Sequence, residues 1–79
     1  MIIIPADEVM FLLNQIKFYE FRRELTNRAL DILPDAKDKS YHTGFRLSII
    51  EQRIQLVTEL LQITEMLNKL ETALKEVLP

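Results

Sequence analysis

The sequence predicts an all-α fold, in which two long helices fold back on each other as an antiparallel hairpin and two hairpins dimerise into a four-helix bundle with coiled-coil-like packing. Three observations lead to this prediction. A seven-residue hydrophobic repeat runs through the second half of the chain, helix-breaking residues occur at only four positions, and apolar residues make up 48% of a chain that has no cysteine. Together they indicate helices that pack lengthwise against other helices.

The repeat is the most informative of these observations. Apolar residues recur in steps of seven from Ile49 to Val77, and a leucine follows four residues after each of the middle three. Neither Pro nor Gly occurs at positions 45–78. This 4-3 spacing is typical of one long helix with a narrow contact seam. We expect the interaction seam to consist of Ile49, Arg53, Leu56, Leu60, Ile63, Leu67, Leu70 and Leu74.

The helix breakers Pro5, Pro34, Gly44 and Pro79 divide the chain into two long segments. We therefore expect a single domain over residues 1–79, with helix 1 at about 6–33, a turn at 34–40 and helix 2 at about 41–78. Glycine inside a helix costs about 1 kcal/mol relative to Ala. A start of helix 2 nearer Thr43 is the alternative.

The residues at the expected helix ends support these boundaries. Asp7 is expected either to cap helix 1 or, with Glu8, to lie in its first turn, where carboxylates interact favourably with the helix dipole. Pro34 ends that helix because proline has no backbone N–H and disfavours a helical conformation of the residue before it. The turn that follows is polar, and Asp38 or Ser40 is expected to cap helix 2.

A second set of apolar residues indicates contact with more than one neighbouring helix. In helix 1 the apolar stripe changes sides near Lys17, so either the helix bends there or its first half is wrapped by several helices. In helix 2 the residues from Leu47 to Leu61 form a stripe beside the seam. We expect a second interface made of Val9, Leu12, Leu13, Ile16, Leu47, Ile50, Ile54 and Val57.

Chain length favours self-association. A chain of 79 residues buries only about 60% of the surface that its unfolded form exposes. Small domains normally gain stability from disulfides, a metal or oligomerisation. The absence of Cys and the single His leave oligomerisation, and we expect a homo-oligomer, with a dimer favoured, and an unidentified protein partner.

Two arginines interrupt the seam. Arg46 and Arg53 stand where the repeat predicts leucines, and three interpretations are open: aliphatic stems packed at the bundle edge with heads in water, ion pairs with a partner helix, or contact with anions or nucleic acid. The candidates for anion or nucleic-acid contact are Arg22, Arg23, Arg28 and Arg46. Interleaved acids and a net charge of −2 favour a solvated face, so nucleic acid is a disfavoured partner.

No arrangement of residues points to an enzyme. His42 stands alone in the turn region, Glu-x-x-His pairs are absent, and the single Gly excludes a glycine-rich phosphate loop. We expect no catalytic, cofactor-binding or metal-binding residues and no cofactor.

The N-terminal segment Met1–Ile4 is too short for a membrane span or a signal-peptide core. It is expected to be either a tail or a short strand. No membrane contact is expected, and the lack of Cys fits a cytoplasmic location.

The surplus of apolar faces predicts a non-enzymatic helical protein–protein interaction module, a small regulator, adaptor or inhibitor acting through helix–helix contacts. Two alternatives are open. One is a hairpin dimer that binds nucleic acid through a basic face, and the other is a structural subunit of a larger assembly. No residue motif of a known family accompanies the pattern.

Overall fold

The computed structural model describes residues 6–78. It contains two helices, α1 (Ala6–Ile32) and α2 (Thr43–Val77), and no strand occurs within residues 6–78. The all-α class predicted from the sequence is confirmed. The run Ile2–Ile4, expected to be a tail or a strand, lies outside the described residues.

The two helices lie side by side and run in opposite directions. Ile16 of α1 packs with Ile63 of α2, and Arg22, further along α1, contacts Glu59, which comes earlier in α2. Later residues of α1 therefore contact earlier residues of α2, as expected for an antiparallel pair. The result is a narrow hairpin whose Cα atoms extend over 67 × 14 × 13 Å.

The face that α1 turns toward α2 follows one continuous 4-3 spacing, which we call the α1 seam. All of its members except Arg23 are buried or half-buried. The α1 seam consists of Val9, Leu12, Ile16, Tyr19, Arg23, Thr26, Leu30 and, one residue past the end of the helix, Leu33. The expectation that the apolar stripe of helix 1 changes sides near Lys17 is therefore wrong for the face that contacts α2. Arg23 and Thr26 are polar, so a search for apolar residues alone does not identify this face. Apolar residues on another face of α1 give the false appearance of a stripe that changes sides.

The core of the hairpin lies between the two seams. Ile49 is 1% exposed, and Ile63 and Leu67 are nearly as well covered. Tyr19 and Leu70 are half-buried beside them, and both pack against the cluster of Ile16, Ile63 and Leu67. Full burial of an aliphatic side chain contributes about 1.5–3 kcal/mol, so these few contacts hold the two helices together.

Thr26 is the one buried polar residue of the described chain, at 4% exposure. Its hydroxyl donates a 2.8 Å hydrogen bond to the backbone carbonyl of Arg22. An unpaired buried hydroxyl is costly, and this bond within α1 satisfies it. A threonine can therefore occupy a seam position.

The connection between the helices consists of two consecutive turns, each begun by an aspartate. The backbone N–H of Asp38 donates to the carbonyl of Asp35 at 3.1 Å, and that of Tyr41 donates to the carbonyl of Asp38 at 3.3 Å. The Asp35 carboxylate also accepts a bond from the backbone N–H of Lys37 at 2.9 Å. Aspartate side chains stabilise turns in this way.

Helix α2 begins later than the expected position 41. His42 is its N-cap residue, and its Nδ1 accepts a 3.1 Å hydrogen bond from the backbone N–H of Gly44. Asp38 and Ser40, the expected caps, instead bond to each other within the second turn. The alternative start nearer Thr43 matches the observed boundary. In the described part of the chain, neither helix has a stretch long and apolar enough to cross a membrane.

Candidate functional site: two apolar faces of the hairpin

The contact between Arg22 and Glu59 identifies the two sides of the hairpin. Each of these residues immediately precedes a seam position, position 23 in α1 and position 60 in α2. Successive residues of a helix are 100° apart, so residues just before and just after a seam position flank the seam on opposite sides. Residues that precede seam positions in either helix therefore share one side, and residues that follow them share the other.

The first side carries an aromatic stripe of α1. Its members are 45–80% exposed, and four of them recur in steps of seven. Phe21 lies next to these four, on the surface of α1 that points away from α2. We call the whole stripe the aromatic face; it consists of Phe11, Phe18, Phe21, Leu25 and Ile32. The neighbouring margin of α2 is polar in its middle, where Gln52, Gln55 and Gln62 line the grooves beside Phe18 and Ile32. It is apolar at Phe45 and Met66, which are 46% and 37% exposed.

The second side carries an aliphatic stripe of α2. Its five residues each follow a seam position by one and are 42–62% exposed. We call this stripe the aliphatic face; it consists of Leu47, Ile50, Ile54, Val57 and Leu61. The neighbouring margin of α1 contains Glu20, Glu24 and Asp31, which are exposed and which we call the acidic margin.

Each side of the hairpin thus combines an apolar margin from one helix with a margin from the other helix that is polar in its middle. Because the aromatic and aliphatic faces lie on opposite sides, a single flat partner covers only one of them. Large, contiguous exposed apolar stripes are unusual on monomeric proteins and are typical of interaction sites.

The structure places most of the expected interaction seam inside the hairpin. Ile49, Ile63 and Leu67 are buried, and the following seam residues are half-buried: Leu56, Leu60, Leu70 and Leu74. Arg53 is exposed. These apolar residues face α1, so little of their surface is left for another molecule.

The expected second interface is divided between core and surface. Leu12 and Ile16 are buried and Val9 is half-buried, all three on the α1 seam. Leu13 is exposed at 37%. The members from α2 form most of the aliphatic face: Leu47, Ile50, Ile54 and Val57. The structure therefore brings the α2 members together on one accessible surface and leaves the buried α1 members out of it.

Three of the four arginines considered for anion contact have partners within the hairpin. Arg22 contacts Glu59, and Arg28 contacts Glu24 at 2.6 Å. The Arg46 Nε donates a 2.7 Å hydrogen bond to the carbonyl of Ala36. Arg23 and Arg53 are exposed. Arg46 thus differs from all three interpretations of the seam arginines, because its head holds the connection against the first turns of α2.

One carboxyl group in the connection, that of Asp38, has a lowered pKa. Hydrogen bonds from the side-chain hydroxyl and backbone N–H of Ser40 hold the pKa of Asp38 below its ordinary value of 3.8, with a small further lowering by Arg46. Asp38 is fully exposed, so this is turn chemistry and gives no sign of an acid–base site. Within residues 6–78 no three His, Asp or Glu side chains are grouped as metal ligands.

Sequence reasoning left the aromatic face out of the expected interaction residues. The signal was present in the spacing of Phe11, Phe18, Leu25 and Ile32, which stand seven residues apart. Without the position of α2, it was not evident that this repeat faces away from the hairpin core.

Comparison with protein-family models, curated proteins and solved structures found no significant match for this chain.

Proposed function

We propose that this protein is a non-enzymatic helical interaction module, a small regulator, adaptor or inhibitor that self-associates and binds a protein partner through helix–helix contacts. The observation that carries the proposal is the pair of exposed apolar faces on opposite sides of the hairpin. A two-helix chain buries few residues fully, yet it holds ten large apolar side chains in two ordered stripes in solvent. Amphipathic helices use such spacing to dock onto other helices.

The architecture we propose for the assembled state is a dimer of hairpins whose four helices form a bundle. Docking one side of the hairpin onto the same side of another brings four helices together. One such contact covers one apolar face and leaves the other available for a protein partner. The combination of self-association and partner binding therefore follows from two faces on opposite sides.

Affinity capture from the native cell with matched variants tests this proposal. The bait proteins are the wild type, Phe18→Glu/Phe21→Glu on the aromatic face, Ile54→Glu/Leu61→Glu on the aliphatic face, and Thr58→Glu on the exposed surface of α2. We expect a protein retained by the wild type and Thr58→Glu to be lost with one of the face variants. Equal retention of every protein by all four baits, together with a monomer in light scattering, would contradict the proposal.

The alternative of a nucleic-acid-binding dimer has less support from the contacts. The guanidinium groups of Arg22 and Arg28 already contact carboxylates, and the acidic margin lies on the second side of the hairpin. Titration with RNA and DNA at low salt distinguishes the two functions, because phosphate binding is strongly salt-dependent. Binding with a steep salt slope would favour the nucleic-acid function.

A further inference from the structure

We infer that the aliphatic face binds a basic amphipathic helix of a different protein. The apolar residues of that helix lie on the face, and its Lys and Arg residues lie against carboxylates on the two borders of the face. This inference rests on the proposed function and names the surface and the chemistry of the protein partner. The aromatic face then remains available for self-association.

The apolar residues of the aliphatic face have the spacing that fits a single helix. From Leu47 to Leu61 they follow one another in steps of three and four, and none of the five is charged. The stretch spans about 21 Å, which a helix of about 15 residues covers. Amphipathic helices bind such surfaces through apolar residues at the same spacing. The face therefore matches one amphipathic helix in length and pattern.

Carboxylates line the border of the aliphatic face that α1 provides. The contact between Arg22 and Glu59 places these two residues at the same height, and each step forward along the antiparallel α1 corresponds to a step backward along α2. Position 20 is therefore level with position 61, position 24 with position 57, and position 31 with position 50. The residues of α1 that directly follow seam positions along this stretch are Glu20, Glu24, Asn27 and Asp31. No basic residue interrupts the acidic margin there.

Two carboxylates of α2 lie on the opposite border of the face. Residues three or four apart are neighbours on a helix surface. Glu51 stands four residues after Leu47 and three before Ile54, and Glu65 stands four after Leu61. Both glutamates are exposed. A helix that lies on the aliphatic face therefore has negative charge along both of its flanks.

Glu20 and Glu65, which lie beside Leu61 on the two borders, have no ion pair within residues 6–78. Glu24 contacts Arg28, but the two side chains are 59% and 71% exposed, and such a solvated pair contributes little to stability. Basic residues of a partner can therefore bind beside Leu61 without breaking a strong contact within the hairpin.

The arginines near the face lie toward the connection. Arg46 and Arg53 line the groove beside Ile50, and the Nε of Arg46 donates to the carbonyl of Ala36. These charges offset the carboxylates in the half of the face nearer the connection. In the other half, carboxylates predominate on both borders, with Lys17 beyond its end. We therefore expect the basic residues of the partner to concentrate over this second half.

The same charges disfavour the other occupants of this face. A second copy of the chain would stack α1 on α1 and bring one acidic margin against the other, and like charges destabilise an interface. Nucleic acid and anionic membranes carry negative charge as well. The margin of α2 beside the aromatic face has glutamines in its middle, so this requirement for a basic partner belongs to the aliphatic face.

Binding of two designed peptides tests the charge requirement. Both are helical peptides of about 18 residues with leucines in steps of three and four. One peptide has lysines on both sides of the leucine stripe, and the other has glutamates at the same positions. We expect the full chain to bind the lysine peptide at least about ten-fold more tightly in fluorescence anisotropy at low salt. Added salt should reduce the difference, because it screens exposed charges.

Neutral substitutions on the two faces identify the surface. Ile54→Gln should weaken binding of the lysine peptide several-fold, because it removes an apolar contact from the centre of the aliphatic face. The matched control Phe18→Gln, on the aromatic face, should bind as the wild type does. Both positions are exposed, so circular dichroism should show equal helix content in the two variants.

Charge reversal tests the role of the border carboxylates. Glu20→Lys/Glu65→Lys should bind the glutamate peptide more tightly than the lysine peptide. The control Glu71→Lys/Glu76→Lys makes the same change in net charge away from the aliphatic face and should still prefer the lysine peptide. All four glutamates are exposed. The same preference in both double variants would show that the borders have no part in recognition and would overturn the inference.

Two further outcomes overturn it. One is equal affinity of the wild type for the two peptides, or binding of neither. The other is weaker binding by Phe18→Gln with no effect of Ile54→Gln. The proposed function fails separately, in the affinity capture with face variants. A native protein lost only with the aromatic-face variant would support the proposed function even if neither peptide bound.

Discussion

At the scale of single residues, stability is concentrated in a few fully covered aliphatic side chains. Ile63 is 4% exposed and belongs to the cluster with Ile16 and Leu67. Since the hairpin consists of only two helices, no other packed region compensates for the loss of a side chain from this cluster. Residues one or two positions away on the same helix are exposed, so burial changes sharply along the chain.

Truncation of Ile63 is expected to be strongly destabilising. Replacing a buried isoleucine by alanine removes its transfer free energy and leaves a cavity, which costs about 2–4 kcal/mol. We expect Ile63→Ala to lower the free energy of unfolding by this amount in urea denaturation. The neighbouring exposed variant Thr64→Ala should stay within about 0.5 kcal/mol of the wild type. Similar effects of the two variants would contradict the burial of Ile63.

The second residue-scale prediction concerns Asp38 in the connection. Ser40 lowers the pKa of Asp38 by donating a side-chain and a backbone hydrogen bond. A carboxyl whose folded pKa is lowered stabilises the fold above its unfolded pKa, near 3.8, and this contribution is lost as the pH falls through the folded pKa. We expect Ser40→Ala to raise the Asp38 pKa toward its ordinary value, measured by NMR titration of the side-chain carboxyl. An unchanged midpoint would show that the hydroxyl has no part in the shift.

At the scale of the helices, the sequence predicts the elements well and the contact faces less well. The breakers at Pro34 and Gly44 place both helices to within two residues of their observed ends in the described chain. The repeat from Ile49 onward identifies the face of α2 that meets α1. Such agreement is expected where local propensity and hydrophobic period indicate the same structure.

The contact face of α1 was not predictable from hydrophobicity alone. Its seam contains Tyr19, Arg23 and Thr26, while the more hydrophobic residues Phe18 and Phe21 are exposed. A prediction from hydrophobicity selects the helix face with the most apolar residues. In α1 that face is exposed and does not contact α2. The same reason explains why Leu12 and Ile16 were grouped with residues of α2 that lie on the surface.

Arg53 provides the helix-scale prediction. Arg53 interrupts the seam and is exposed, and an ion pair with an acidic residue of a partner helix is one interpretation of it. If that pair forms in the assembled state, Arg53→Glu should weaken self-association several-fold in sedimentation equilibrium, because it places two carboxylates together. If Arg53→Glu leaves the dimer unchanged, Arg53 is a solvated seam residue without a partner charge.

At the scale of the whole molecule, the hairpin has a high ratio of surface to core. Its Cα atoms extend over only 14 × 13 Å across the helix axes, which is the width of two helices. Each helix is therefore exposed to solvent on most of its circumference. Two helices bury one seam between them, and the aromatic and aliphatic faces are what remains. Stability of the isolated chain is therefore expected to be marginal.

Coupling between folding and assembly gives the last prediction. A binding event that requires the folded chain stabilises it by mass action, so the melting temperature of a self-associating protein rises with protein concentration. For a domain of this size, a gain of about 1 kcal/mol raises the melting temperature by about 4–8 °C. The wild type should therefore melt several degrees higher at high concentration than at low concentration in circular dichroism.

Ile54→Glu on the aliphatic face and Phe18→Glu on the aromatic face separate assembly from intrinsic stability in the same experiment. Ile54 is 60% and Phe18 51% exposed, so each substitution removes little packing within the hairpin and acts mainly on what its face contacts. The variant of the self-association face should have a melting temperature that is independent of concentration and matches that of the wild type at the lowest concentration. A concentration-independent wild type would contradict coupling between folding and assembly, and the hairpin would then be stable by its own seam alone.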